Sequence, residues 1–148
     1  MTLKTFKVFF TRTSVGPEGI SLASGLQAAV TEHGINFPTV DLSGEKFQIR
    51  GITRVASVWK GTFVKLRDDA PHVVAADNQE RELDLGEGDY LIEKCHFIYR
   101  ERVNVLVWQA NRSAGGLSRA EDYLSVLGCC RFRRHRLKLL KLPRTVSD

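Results

Sequence analysis

The chain has no apolar run near the roughly 20 residues that a membrane-crossing helix needs. Its start, Met1 to Lys7, lacks the apolar core and small-residue cleavage site of a secretory signal. The expectation is a protein with no membrane partner, in the cytoplasm. Cysteine is scarce: only Cys95, Cys129 and Cys130, an odd number with two adjacent, so no disulfide framework is expected. Three reduced thiols fit better, with Cys95 packed in a strand. His33, His72, His96 and His135 are isolated from one another, and HExxH and HxH are both missing. Cys95 and His96 are strand neighbours, so they point to opposite faces and cannot share a metal without a bulge. There is no GxSxG nucleophile elbow, and Gly86-Glu87-Gly88 lacks the lysine of a phosphate loop. No catalytic residue is identified, no cofactor or metal is implied, and a non-enzyme is the leading expectation.

What is present is a globular composition, 43% hydrophobic and 26% charged over 148 residues. That suffices for one domain with its own core. Lys4 to Arg12 alternates as a strand, with Val8 and Phe10 opposed to Phe9 and Thr11. Ser14 to Gly19 reads as a loop. Ser21 to His33 carries an apolar stripe at helical spacing, and Gly34 is a natural stop. Lys46 to Val55 and Ser57 to Arg67 alternate as strands. In the first of these Phe47, Ile49, Gly51 and Thr53 are placed on one face. Val73 to Ala76 and Arg81 to Leu85 are short pairing candidates. Tyr90 to Tyr99 and Val103 to Ala110 make the best hairpin, joined by Arg100-Glu101-Arg102. Both faces of its second strand are apolar, which predicts cover on both sides. Ser118-Arg119-Ala120-Glu121 reads as a capping box that opens a helix ending before Gly128. The order predicts an α+β fold: an antiparallel, meander-like sheet of about five or six strands with two helices packed on it.

Charge is unevenly placed. Residues 131–148 hold seven basic residues and Asp148, a net +6, so the +5 chain leaves residues 1–130 at −1. The expected organisation is a single domain over 1–130 and a basic tail over 131–148. In the tail Arg131, Arg133, Arg134, Arg136 and Lys138 are interleaved with Phe132 and leucines. That pattern fits phosphate contact with stacking. It also fits an amphipathic segment docking on the body, or a solvated end. Gln109, Asn111 and Arg112 follow an apolar strand, where amides and a guanidinium could read a base edge or simply secure the chain's exit. Asp68, Glu93 and Lys65 are the best case for a metal-dependent nuclease, although acidic turns are commonly just solvated.

His96-Phe97-Ile98-Tyr99, Val105 to Arg112, Gly115-Gly116 and Tyr123-Leu124 together resemble a pattern in uncharacterised bacterial and prophage-borne proteins, some associated with phage defence. The resemblance covers about residues 47–127 and assigns no catalytic residue. It implies a binding or regulatory module in phage–host conflict or gene control. The expected partner is nucleic acid or a nucleic-acid-bound protein. The alternatives are a toxin-like metal-dependent nuclease and a protein–protein inhibitor or structural subunit.

Overall fold

A computed structural model describes residues 8–13, 21–128 and 135–136. Lys4 to Lys7, the Ser14–Gly19 loop, Cys129, Cys130, Arg131, Arg133, Arg134 and Lys138 lie outside the described residues. The architecture is α+β. The strands are β1 (Val8–Arg12), β2 (Val40–Leu42), β3 (Glu45–Val55), β4 (Val58–Arg67), β5 (His72–Val74), β6 (Glu80–Glu82), β7 (Leu91–Arg100), β8 (Val105–Gln109) and β9 (His135–Arg136). The helices are α1 (Leu22–His33) and α2 (Leu117–Val126). One antiparallel sheet runs in the order β2-β3-β4-β7-β8-β1-β9, and β5-β6 form a separate hairpin. Consecutive strands pair locally, but β1 closes against β8 through Phe9 opposite Trp108 and Thr11 opposite Leu106. Backbone pairing of Thr11 with Arg136 brings part of the tail to that edge as β9.

One face of the sheet is covered. Phe47, Ile49, Phe63, Phe97 and Trp108 from the strands form one cluster with Leu22, Leu26 and Ala29 of α1 and Ala120, Tyr123 and Leu124 of α2. Its centre is aromatic. Phe63 stacks on Phe47 with centroids 5.2 Å apart and meets Trp108 and Tyr123 at 5.6 and 5.7 Å. Each such pair adds about 0.5–1.5 kcal/mol beyond its burial. Tyr123 also ties α2 to the sheet edge. Its hydroxyl donates to Pro38 O at 2.5 Å and accepts the Ile49 amide at 3.3 Å.

Helix α1 starts where Ser21 Oγ accepts the Ser24 amide at 3.1 Å, and it stops at Gly34, whose φ is +79°. Helix α2 corrects the capping-box reading. Gly116 is the N-cap and provides no side-chain bond, so Ser118 lies inside the helix. The reason is packing: Leu117 belongs to the same apolar stripe as Ala120 and Leu124 and is drawn into the first turn.

Two face assignments are also corrected. Between Arg50 and Thr53 the pairing of β3 with β4 slips. Gly51 and Ile52 together oppose Gly61, and Gly51 adopts φ +61°. This is a bulge of the kind a left-handed glycine permits. It inverts the alternation, so Ile52 enters the core and Thr53 turns outward. The second correction concerns β8. Leu106 and Trp108 are buried, but Val105 and Val107 on the other face are only half-buried. Both helices pack on the opposite side, so β8 is not sandwiched between helices.

Candidate functional site: the outward sheet face

The outward face is defined by register. Opposite the core, β7 places Ile92, Lys94, His96, Ile98 and Arg100, and all five are exposed. In cross-strand pairing, Lys60 lies against Ile98, Thr62 against His96, Val64 against Lys94 and Leu66 against Ile92. On β3, Arg50 lies against Thr62 and Gln48 against Val64. On β8, Val107 is opposite Ile98, and β1 adds Phe10 and Val8. None of these outward positions on β1, β3, β4, β7 or β8 is an aspartate or glutamate. The first carboxylate on this side is Asp41 of β2, opposite Lys46, and it accepts the Gly44 amide at 2.8 Å.

Three cations on this face are left without acidic partners among the described residues, whereas Lys46 has Asp41 opposite it. Among the described residues Lys60, Lys94 and Arg100 make no ion pair. Arg50 donates to the neutral Gln48 Oε1 at 2.9 Å. The core-side cations differ. Lys65 donates to Glu45 at 2.6 Å, and Arg67 holds Asp69 at 2.5 Å and Glu93 at 3.4 Å. Hydrogen bonding from Arg67 lowers the Asp69 carboxyl below its ordinary value, and the Lys65 bond does the same for Glu45. Of the suggested nuclease residues, Glu93 is held by Arg67 and Lys65 by Glu45, while Asp68 makes no ion pair among the described residues. Among the described residues no three His, Cys, Asp or Glu converge in a metal-holding group.

The bulge shapes the middle of the face. Asn36 Oδ1 accepts the Gly51 amide and Ile35 O accepts the Ile52 amide, both at 3.0 Å. The turn after α1 thereby satisfies both bulge donors and holds β3 away from regular pairing. A shallow depression of about 390 Å³ lies here, lined by Gly51, Lys60, Gly61, Thr62, His96, Phe97 and Ile98. Sequence reasoning did not find it. The available signal was a glycine inside each of two paired strands, Gly51 and Gly61.

The residues expected to read nucleic acid are dispersed. Gln109 ends β8 on the outward face and is half-buried. Asn111 is structural: its Nδ2 donates to Lys94 O at 2.9 Å and its Oδ1 accepts the Ser113 amide at 3.1 Å. It clamps the exit of β8 to β7. Arg112 is exposed in the short turn that follows. Of the tail, only the backbone of Arg136 and its neighbour His135 is placed, beside β1. Cys95 and His96 point to opposite faces, Cys95 buried and His96 exposed.

Charge also segregates along the chain. Between β4 and β7 the excursion 68–90 carries eight carboxylates against Arg81 alone, a net −7. It contains the β5-β6 hairpin, where His72 lies 2.8 Å from Glu80 and 3.5 Å from Glu82. The excursion leaves at Arg67 and returns at Leu91. Arg100, at the other end of β7, is about 30 Å away along the strand. The sheet thus has an acidic end, and five of its strands present an outward surface with no carboxylate.

DUF6731, described as a family of unknown function, matches residues 27–129. The chain belongs to DUF6731. The DUF6731 match takes in β3, β4, β7 and β8, which carry most of the outward face, together with the acidic excursion and α2. Strands β1 and β9 lie outside it. No curated protein and no solved structure shows significant similarity to the chain. No helix among the described residues is long and apolar enough to cross a membrane.

Proposed function

We propose that this protein is a non-enzymatic binding module that contacts nucleic acid, or a nucleic-acid-bound protein, through the outward face of its sheet and its basic tail. One observation carries the reading: five adjacent strands present no carboxylate outward, while Lys60, Lys94 and Arg100 stand there without ion-pair partners among the described residues. Cations without acidic partners displace the counterions condensed on a nucleic acid when they meet its phosphates. Ile98 and the His96 ring lie between Lys94 and Arg100, with Ile92 on the far side of Lys94, and offer apolar surface to unstacked bases. Single-stranded nucleic acid therefore fits better than a duplex. Arg131, Arg133, Arg134, Arg136 and Lys138 add five positive charges to the chain. Phage–host conflict or gene control is the proposed setting, and it rests on the sequence resemblance through residues 96–124.

The test is fluorescence polarisation of a labelled single-stranded oligonucleotide with the full chain across a salt series. Binding should weaken steeply with salt. Lys60→Glu combined with Lys94→Glu should weaken it by about tenfold or more and flatten the salt slope by about 0.7 per lost phosphate contact. Neutralising Arg131, Arg133 and Arg134 to Gln should produce a second, separable loss. Binding that ignores salt, or a double variant equal to the parent, rejects the proposed face.

A further inference from the structure

Resting on the reading above, we propose that the depression at the Gly51 bulge is a subsite for a single nucleotide unit, with its phosphate on Lys60 and its base against His96 and Ile98. Its volume, about 390 Å³, lies within the range of small-ligand pockets. Its chemistry selects an anion with an apolar, flat attachment. Among the lining residues Lys60 supplies the one ammonium group, and it has no ion-pair partner among the described residues. His96 and Ile98 supply a ring and an aliphatic surface on the neighbouring strand.

Register fixes how these groups sit. Lys60 opposes Ile98 and Thr62 opposes His96, so Lys60 and His96 are diagonal neighbours, roughly 7–8 Å apart at the backbone. That spacing suits a phosphate at one corner and a base at the other. Thr62 donates its hydroxyl proton to Arg50 O at 3.0 Å, which orients its oxygen as an acceptor for a base N–H. The residues opposite the lining side chains on β3 and β8 are Arg50, Thr53 and Val107, none of them acidic. An incoming phosphate would meet no repelling carboxylate in those pairs.

The bulge also explains why the subsite sits here and nowhere else along β4. Regular pairing resumes on both sides of it, at Arg50 with Thr62 and at Thr53 with Lys60. Only between those pairs are two β3 residues set against one, with glycines facing each other across the gap. The amides of Gly51 and Ile52 are already satisfied by the 35–36 turn, so selectivity rests on the side chains and not on a backbone nest.

The same unit can be a free mononucleotide or one residue of a strand, and the experiment separates the two. Full-length ¹⁵N-labelled protein is titrated with uridine monophosphate, a short oligouridylate and inorganic phosphate while the Gly51, Gly61 and Thr62 amides are followed. The expected result is saturable shifts with both nucleotide probes. Lys60→Gln and His96→Ala should each weaken the oligonucleotide at least about fivefold, whereas Lys94→Gln changes mainly the salt slope. Lys60, His96 and Lys94 are all exposed, so each variant is expected to retain the parent's circular dichroism. If the mononucleotide binds but the oligonucleotide does not, the subsite stands and the strand-binding reading falls. If the oligonucleotide binds with salt dependence yet these amides stay fixed, the subsite is overturned and the wider face survives. If inorganic phosphate reproduces every shift as tightly as the mononucleotide, the base contact is overturned.

Discussion

Glu101 accepts the indole N–H of Trp59 at 2.6 Å while the same carboxylate grips the Arg54 guanidinium at 2.7 and 3.0 Å. A turn residue between β7 and β8 thus fastens the far ends of β3 and β4. Arg54 also lies over the Trp59 ring, 5.6 Å from its centroid. The Arg54 bond holds the Glu101 carboxyl below its ordinary value near 4.5; burial works against it, and the Trp59 bond adds to the lowering. Trp59 is 2% exposed, so losing this acceptor would leave a buried donor.

Glu101→Ala should therefore lower unfolding free energy by about 2 kcal/mol. Because the folded carboxyl titrates below the unfolded one, its contribution is full above about pH 4.5 and fades as pH falls through the lowered value. Urea unfolding of the parent and Glu101→Gln at neutral and acidic pH checks this. The gap between them should narrow in acid; a constant gap would mean the charge is irrelevant.

Gly61 is held by space. A Cβ built there would lie 2.8 Å from Phe97 Cζ and 3.1 Å from Ile52 Cδ1. Phe97 cannot withdraw easily, because its ring stacks on Trp108 at 5.8 Å and 8°. Gly61→Ala should destabilise by about 1–3 kcal/mol, seen as a lower thermal midpoint. An unchanged midpoint would show that the β4–β7 core yields more than its packing implies.

Cys95 should be chemically silent in the folded protein. Burial pushes its thiol upward, and its Sγ sits 3.7 and 3.8 Å from the Asn111 and Gly115 carbonyls. Alkylation at neutral pH followed by peptide mapping should leave the Cys95 peptide unlabelled until denaturant is added. Rapid native labelling would contradict the buried placement.

The acidic excursion should oppose an anionic ligand. Asp84→Asn with Glu87→Gln removes two exposed negative charges. The pair should tighten single-strand binding by about two- to threefold at low salt, with the effect vanishing at high salt. A salt-independent gain would point to a conformational cause instead.

Much of the local structure was legible in the chain. Alternation over residues 57–67 marked β4, the hairpin reading of 90–99 marked β7, and the stripe from Leu22 to His33 marked α1. Those patterns report a choice each residue makes with its near neighbours. The short β2 escaped notice because three residues cannot display a period. Gly51 misled, because a glycine in a strand pattern does not say whether the chain continues or bulges. Ser118 misled too, because an attractive cap lost to the burial of Leu117. At the site, Gln109, Asn111 and Arg112 drew attention for their chemistry, yet Asn111 serves the backbone.

By itself, then, the sequence determined the main element types, the alternation of β4 and the basic character of residues 131–148. Tertiary structure alone decided that β1 closes against β8, that the Gly51 bulge reverses the faces of β3, and that five strands together leave an outward surface free of carboxylates. The division follows from range. Periodicity is set within a few residues of chain, whereas register joins positions as distant as Phe10 and Val107, and charge on a surface exists only after that register is fixed.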